Sequence, residues 1–276
     1  MRTNQAENKQ KTVLITGASN GFGMEFAKLF ARDGYNLVLV ARSTERLRKL
    51  GYKLQDKHQL QHVCIITADL AQPGVAGEVY QQVKESGIHV DILVNNAGAG
   101  IHGFFYETDL DRELAIIQLN VNSPVELTKH FLKDMKRKGE GKILNVASIV
   151  SLMPAPLMAI YGATKAFILS FSEALTNELK DTGITVTALC PGASNTMFFR
   201  RAGAAHTRAA HGQLSEPAEV ALDGYNALMN GEAKVVSGLM NKLQATSSSI
   251  LPDKALAATM RYQMEEEEGE WKESKL

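Results

Sequence analysis

Tyr161 and Lys165 stand four positions apart in a run of helical period, Tyr161–Lys180, so both side chains leave one face about a turn apart. A phenol ordinarily titrates at pKa ~10, too high for proton transfer at neutral pH. An ammonium one turn away stabilises the phenolate and lowers that value, each unit being ~1.4 kcal/mol of favourable interaction. Such a pair suits acid–base chemistry. Ser148 lies just past the β-rich run Lys142–Val146, where an α/β sheet places ligand-binding residues. Asn120 lies inside the long helical run Asp111–Lys136. Taken singly, each has a plain alternative: a tyrosine at a helix start packs, a lysine solvates, an asparagine caps or turns.

A second cluster precedes these. Between a first β-rich run and a first helical one lies Thr16-Gly17-Ala18-Ser19-Asn20-Gly21-Phe22-Gly23. Glycines at 17, 21 and 23 let the chain turn sharply and let a pyrophosphate approach the main chain without a Cβ in the way. The helix that follows offers unpaired N–H groups and a positive dipole end. Gly-rich turns also join strands to helices without any ligand, but the position directly after the first strand points to a dinucleotide. Where an NAD-binding protein carries an acid for the ribose hydroxyls, the second strand runs through Val40 and Ala41 into Arg42. A guanidinium there can clamp a 2′-phosphate, which an aspartate would repel. The expected cofactor is therefore NADP; Asn20, being neutral, adds no second charge from the turn.

The elements that must hold these residues are legible as β-rich runs alternating with amphipathic helices, which predicts a parallel sheet flanked by helices. Strands are expected at Thr12–Thr16, Asn36–Val40, His62–Ile66, Asp91–Val94, Lys142–Val146, Thr185–Leu189 and Lys234–Val236. Several are continuously apolar, as strands covered on both faces should be. Phe22, Phe26, Leu29 and Phe30 form one buried stripe of a helix stopped at Asp33-Gly34. Further helices are expected at Val75–Glu85, Asp111–Lys136, Tyr161–Lys180 and Pro217–Met229, the last with Ser215 as N-cap, and another from Asp253. One domain over 1–250 should be followed by a helical appendage at 251–276 that ends in an acidic tail.

Composition excludes several classes. Thirty basic and thirty acidic side chains give no net charge, which argues against a nucleic-acid binder. A content of 45% hydrophobic and 22% charged residues can bury a core. No apolar run approaches the ~18 to 20 residues that span a bilayer, and the first ten residues are polar. Cys64 and Cys190, each in a strand-like run, read as core residues of a reducing compartment, not a disulfide or metal site. A soluble cytoplasmic protein is expected, with the peroxisome as the alternative if the source is eukaryotic, because the chain ends Ser274-Lys275-Leu276.

Taken together, the motifs resemble those of the short-chain dehydrogenase/reductase family in its compact, single-domain branch. In order they are the turn at Thr16–Gly23, Asp69, Asn95-Asn96-Ala97-Gly98, Asn120, Ser148, Tyr161-x-x-x-Lys165 and Pro191-Gly192 with Thr196; they cover about Thr12 to Gly238. The resemblance implies a doubly wound Rossmann fold of the α/β class, with a seven-stranded, mostly parallel sheet. It implies an NADP-dependent hydride transfer between nicotinamide and a carbonyl or alcohol. Tyr161 would be the acid/base, Lys165 would tune it and bond the nicotinamide ribose, and Ser148 would orient the substrate oxygen. Asn120 would hold a water linking Lys165 to solvent. Ser151 is a rival for the serine role, but it lies ten positions before Tyr161 where the family pattern has thirteen.

For the cofactor, the resemblance places Gly17, Ser19, Asn20, Gly21, Phe22 and Gly23 at the phosphates and Arg42 at the ribose. Asp69 and Leu70 fall by the adenine, and Asn96, Ala97 and Gly98 by the adenosine ribose. Tyr161, Lys165, Pro191, Gly192 and Thr196 fall by the nicotinamide. Phe22 departs from the usual aliphatic residue. The segment 196–215 is expected as a lid, with Met197, Phe198 and Phe199 facing a wall of Met153, Pro154, Pro156, Leu157 and Met158. These side chains suggest an apolar small-molecule substrate, or else they only pack the lid. His206 and His211 could touch substrate or merely be solvated. The extension beyond Gly238 would fold over the pocket or extend an interface. A homodimer or homotetramer through the helical runs Asp111–Lys136 and Tyr161–Lys180 is the family habit. The alternatives are a catalytically silent, NADP-sensing regulator that binds a protein, and a sugar epimerase or dehydratase, which lacks its substrate domain here.

Overall fold

The parallel sheet predicted from alternating strands and helices is present, with seven strands in the order β3-β2-β1-β4-β5-β6-β7. The strands, in a computed structural model that describes residues 8, 10–248 and 251–266, are β1 (Thr12–Thr16), β2 (Asn36–Ala41), β3 (Val63–Thr67), β4 (Ile92–Asn95), β5 (Gly141–Val146), β6 (Ile184–Cys190) and β7 (Lys234–Val236). Every pairing is parallel, with Leu14 opposite Val38 on one side and Leu93 on the other. Alternate residues of each strand face opposite layers. Val13, Ile15, Leu37 and Leu39 pack against α1 (Gly21–Arg32), α2 (Thr44–His58) and a later helix, Pro217–Asn230. Leu14, Val38, Leu93 and Ile143 pack against α3 (Val75–Glu85) and the helices Ser123–Lys138 and Ala159–Glu178. This is a doubly wound Rossmann fold.

Three expectations need correction. Helix α2 is absent from the sequence reading: its buried stripe is only Leu47, Gly51 and Leu54, a faint signal in a charged segment. The run Asp111–Lys136 is not one helix but α4 (Leu110–Ile117), a π turn (Gln118–Asn122) and α5 (Ser123–Lys138). Pro124 supplies the reason, since it has no N–H to give the carbonyl of residue 120, its partner in a regular α-helix. Ser215 is not the N-cap of α9 (Pro217–Asn230). Glu216 holds that place, while Ser215 bridges to Ser194.

The remaining helices are α6 (Ala159–Glu178), α7 (Phe198–Ala202), α8 (Arg208–His211), α10 (Leu239–Ser248) and α11 (Asp253–Met264). The helix expected from Asp253 begins there. Thr207 forms an antiparallel bridge to Glu266, and Arg208 ion-pairs with Glu265, so α11 is tied to the segment after β6. The rest of the acidic tail, from Glu267, and the Ser274-Lys275-Leu276 ending lie outside the described residues. Among the described residues no helix is long and apolar enough to cross a membrane.

Candidate active site

In a sheet of this order the connections after β1 and β4 leave in opposite directions, opening a crevice at the strands' carboxyl ends. A cavity of about 1010 Å³ lies there. One end is walled by the glycine turn, Arg42, Asp69 and Leu70. The middle carries Asn96, Ala97 and Gly98, and the other end Ser148, Tyr161, Lys165, Pro191 and Gly192, while Thr196 lies against Gly21 of the turn. Thus the structure gathers along one crevice residues spread from Gly17 to Thr196.

Two site residues from the sequence do not line it. Gly23 lies beneath the turn, where a Cβ would overlap the Gly17 carbonyl oxygen and stand 2.6 Å from Asn96 Nδ2. It lets α1 approach β1. Asn120 is buried at the π turn and works as a brace. Its Nδ2 donates to Ala99 O at 2.9 Å and Thr164 Oγ1 at 3.0 Å, while its Oδ1 accepts from Ala99 N at 3.0 Å. The brace ties the loop after β4 to α6 one turn from Tyr161. Lys165 Nζ and Asn120 Oδ1 both lie 3.4 Å from the point where a Gly98 Cβ would stand.

The glycine turn fits a dinucleotide phosphate. Gly17 and Gly21 take left-handed backbone, φ +67° and +52°. Helix α1 starts at Asn20 with no side-chain cap and no acid in its first turn, which leaves its N–H donors and dipole end to a ligand. Thr16 Oγ1 accepts from the backbone N–H of Asn96 and Ala97 at 3.0 Å each, and Asn96 Nδ2 donates to Thr16 O at 2.7 Å. These bonds lock the turn to the loop after β4. Phe22 packs on the core and lines the crevice, so the departure from an aliphatic residue is accommodated.

At the reactive end, Lys165 is 5% exposed, its Nζ donating to Val146 O at 2.7 Å and lying 5.8 Å from the Tyr161 ring centroid. Burial pushes the ammonium down to about 8. Burial likewise pushes the Tyr161 phenol up to about 12, against a smaller lowering by the Ser148 hydroxyl. The sequence expectation that Lys165 pulls Tyr161 below its ordinary value is therefore not met here. For the Tyr161 phenol, loss of solvation outweighs an ammonium whose proton is held by a carbonyl. Ser151 donates to Lys165 O at 2.9 Å and accepts from Ser148 N at 3.2 Å, a structural cap, whereas Ser148 Oγ reaches the phenol.

Several wall residues escaped the sequence reading. Arg46, from the unrecognised α2, and Ser43 join Arg42; Ala155, Gln213 and Gln244 join the far end. From α11 come Met260, Gln263 and Met264, so of the two placements left open for the extension, this part of it lies over the pocket. Met158, Phe198 and Phe199 line the cavity as expected, whereas Met153, Pro154, Pro156, Leu157, Met197, His206 and His211 do not. Phe198 packs on Tyr161 with ring centroids 4.9 Å apart.

A family model described as short chain dehydrogenase matches residues 11–206. The Rattus norvegicus protein named dehydrogenase/reductase SDR family member 7B is 32% identical over 192 residues, 68% of this chain and 59% of that protein. The chain thus spans about three fifths of that relative's length. Among solved structures, a short-chain dehydrogenase from Sphingobium yanoikuyae in complex with NADPH is 32% identical with a TM-score of 0.77, covering 88% of this chain and 96% of its own. The bulky-bulky ketone specific alcohol dehydrogenase from Comamonas testosteroni is 30% identical with a TM-score of 0.73, covering 88% and 95%. On the family match, these likenesses and the shared fold, the chain belongs to the short-chain dehydrogenase/reductase family.

Proposed function

We propose that the protein is an NADP-dependent oxidoreductase that interconverts a bulky, apolar ketone and its alcohol, with Tyr161 as the general acid/base. The observation that carries this reading is the single crevice that joins the glycine turn and Arg42 to Ser148, Tyr161 and Lys165. The dinucleotide supplies or accepts the hydride when bound. Every other part falls to this chain. The backbone donors at the start of α1 face the phosphates, and Arg42 faces the 2′-phosphate. Ser148 Oγ donates to the substrate oxygen and sets it against the phenol. With its pKa pushed up to about 12, Tyr161 holds its proton at neutral pH and so is ready to donate it to a carbonyl oxygen. Lys165, braced by Val146, keeps most of its charge below pH 8 and steadies the phenolate left behind. Asn120 and Thr164 hold the loop and helix that set these distances.

The substrate end is walled by Ile149, Val150, Met158, Phe199, Met260 and Met264, a mostly apolar surface contributed by four separate segments. That surface supports a large apolar ketone, the class in the name of the Comamonas testosteroni enzyme. A homodimer or homotetramer is the corresponding assembly, and exposed Leu110, Leu114 and Phe167 on α4 and α6 support it.

The test is Tyr161→Phe assayed with NADPH over ketones, steroids and acyl carbonyls. Turnover should fall by a factor of about 10² to 10⁴ while NADPH affinity stays within twofold. A variant that keeps full carbonyl-reducing activity overturns the proposal. A wild-type protein that binds NADPH, reduces nothing in the panel and captures a protein partner would instead be the silent regulator.

A further inference from the structure

We propose that Arg201, from α7, completes with Arg42 and Arg46 a three-guanidinium clamp for the 2′-phosphate of the dinucleotide, and that this phosphate thereby fixes the substrate wall. The inference rests on the NADP reading above and extends it to a segment on the far side of the crevice.

Arg42 leaves β2 and Arg46 sits in the first turn of α2, and both line the crevice beside Ser43. Arg201 lines the same crevice from α7, more than 150 positions away in sequence. Arg201 feels the other two charges. Burial first, and then the positive charges of Arg42 and Arg46, hold the Arg201 guanidinium below its ordinary value. Asn20 steadies it: with its amide oxygen turned toward α7, it accepts from both Nη1 and Nη2 of Arg201 at 3.2 Å. The neutral residue of the glycine turn therefore seats a charge that another segment brings.

None of the three arginines forms an ion pair with a carboxylate among the described residues. Arg46 is a cation in the first turn of a helix, where the dipole disfavours it, and the N-cap Ser43 makes no side-chain capping bond. Glu45 shares that turn but does not line the crevice. Three guanidiniums line one crevice, Arg201 within electrostatic reach of the other two, and a dianionic phosphate bound among them would relieve that repulsion and be gripped by planar donor forks. Helix α7 also carries Phe198, which packs on Tyr161, and Phe199, which lines the substrate end. Anchoring Arg201 on the phosphate therefore anchors that wall.

The experiment measures Kd of the full-length protein for NADPH, NADH and 2′,5′-ADP by fluorescence titration, in wild type, Arg201→Met, Arg201→Lys and Arg42→Met. Arg201 is exposed, so a melting temperature equal to wild type is expected for Arg201→Met. The Met variant should weaken NADPH and 2′,5′-ADP by about ten- to hundredfold. NADH should stay within twofold, and Arg201→Lys should recover part of the loss. If Arg42→Met lowers the NADPH preference and Arg201→Met does not, the inference fails and the NADP reading survives. Equal weakening of NADPH and NADH assigns Arg201 to the pyrophosphate and also overturns it. A wild type that does not prefer NADPH removes the NADP reading and the clamp together.

Discussion

Replacing Gly23 by alanine separates what holds the glycine turn together from what the turn binds. Gly23 has helical backbone, so its cost is steric. The new Cβ would overlap the Gly17 carbonyl oxygen and stand 2.6 Å from Asn96 Nδ2, which itself donates to Thr16 O at 2.7 Å. Neither neighbour is the free end of a flexible chain. Forcing a methyl into such packing costs about 1–3 kcal/mol. Displacing Asn96 from its carbonyl costs about 1–3 more. The better helix propensity of alanine offsets about 1 kcal/mol. A net loss of about 1–5 kcal/mol lowers Tm by about 2–20 °C in a chain of this size. Gly21→Ala is the control. Its Cβ would meet only Thr196, at 3.4 Å, so the cost is the left-handed backbone, φ +52°, about 1–2 kcal/mol. Gly21 lines the crevice and Gly23 does not, so Gly21→Ala should lose more NADPH affinity and less stability. Circular-dichroism melts and NADPH titrations of both variants test the reasoning. It is refuted if Gly23→Ala melts within about 2 °C of wild type, or if Gly21→Ala is the less stable of the two.

Lys165 titrates near 8 in the folded protein against 10.5 for an ordinary lysine, so from pH 8 to 10.5 the unfolded chain binds more protons and stability rises with pH. Over that window wild type should gain up to about 3 kcal/mol relative to Lys165→Met, read from urea unfolding of both at pH 8 and 10; parallel curves would contradict it. Because burial raises Tyr161 to about 12, carbonyl reduction should run at neutral pH, while alcohol oxidation, which needs the phenolate, should climb steadily up to pH 10. An oxidation rate flat from pH 7 to 10 would count against that. Met260→Trp, at the α11 wall, should raise KM for a bulky ketone about tenfold or more and leave that for acetone-sized ketones within twofold. Equal effects on both would remove α11 from the substrate wall.

Local order made much of the protein readable in its sequence. The strands β1, β2, β4 and β6 are short apolar runs that only a doubly covered sheet accommodates, and their bounds fell within two residues of those found. The glycine turn and the Tyr161–Lys165 spacing are likewise local, because a tight turn and one helical turn are set by neighbours along the chain. Helix α2 was hidden by its thin stripe, although Leu47, Gly51 and Leu54 do keep helical spacing. The break at Asn120 had a visible signal in Pro124, but the π turn that buries the asparagine amide against Ala99 and Thr164 depends on packing against α6.

Contacts across the crevice were decided only by the tertiary structure. Nothing in the chain order says that Arg201 faces Asn20 or that Met260 and Met264 close over Tyr161, since such meetings follow from how the sheet twists and where its connections return. The pKa values belong with them. A tyrosine and a lysine four apart share a helix face in any setting, but whether charge or desolvation governs the pair depends on the residues that exclude water, and those come from distant segments. Sequence supplied the candidate acid–base pair and the glycine turn. Folding determined how far they are buried and which far-off arginine reaches the turn, because burial and long-range charge exist only once the chain has closed on itself.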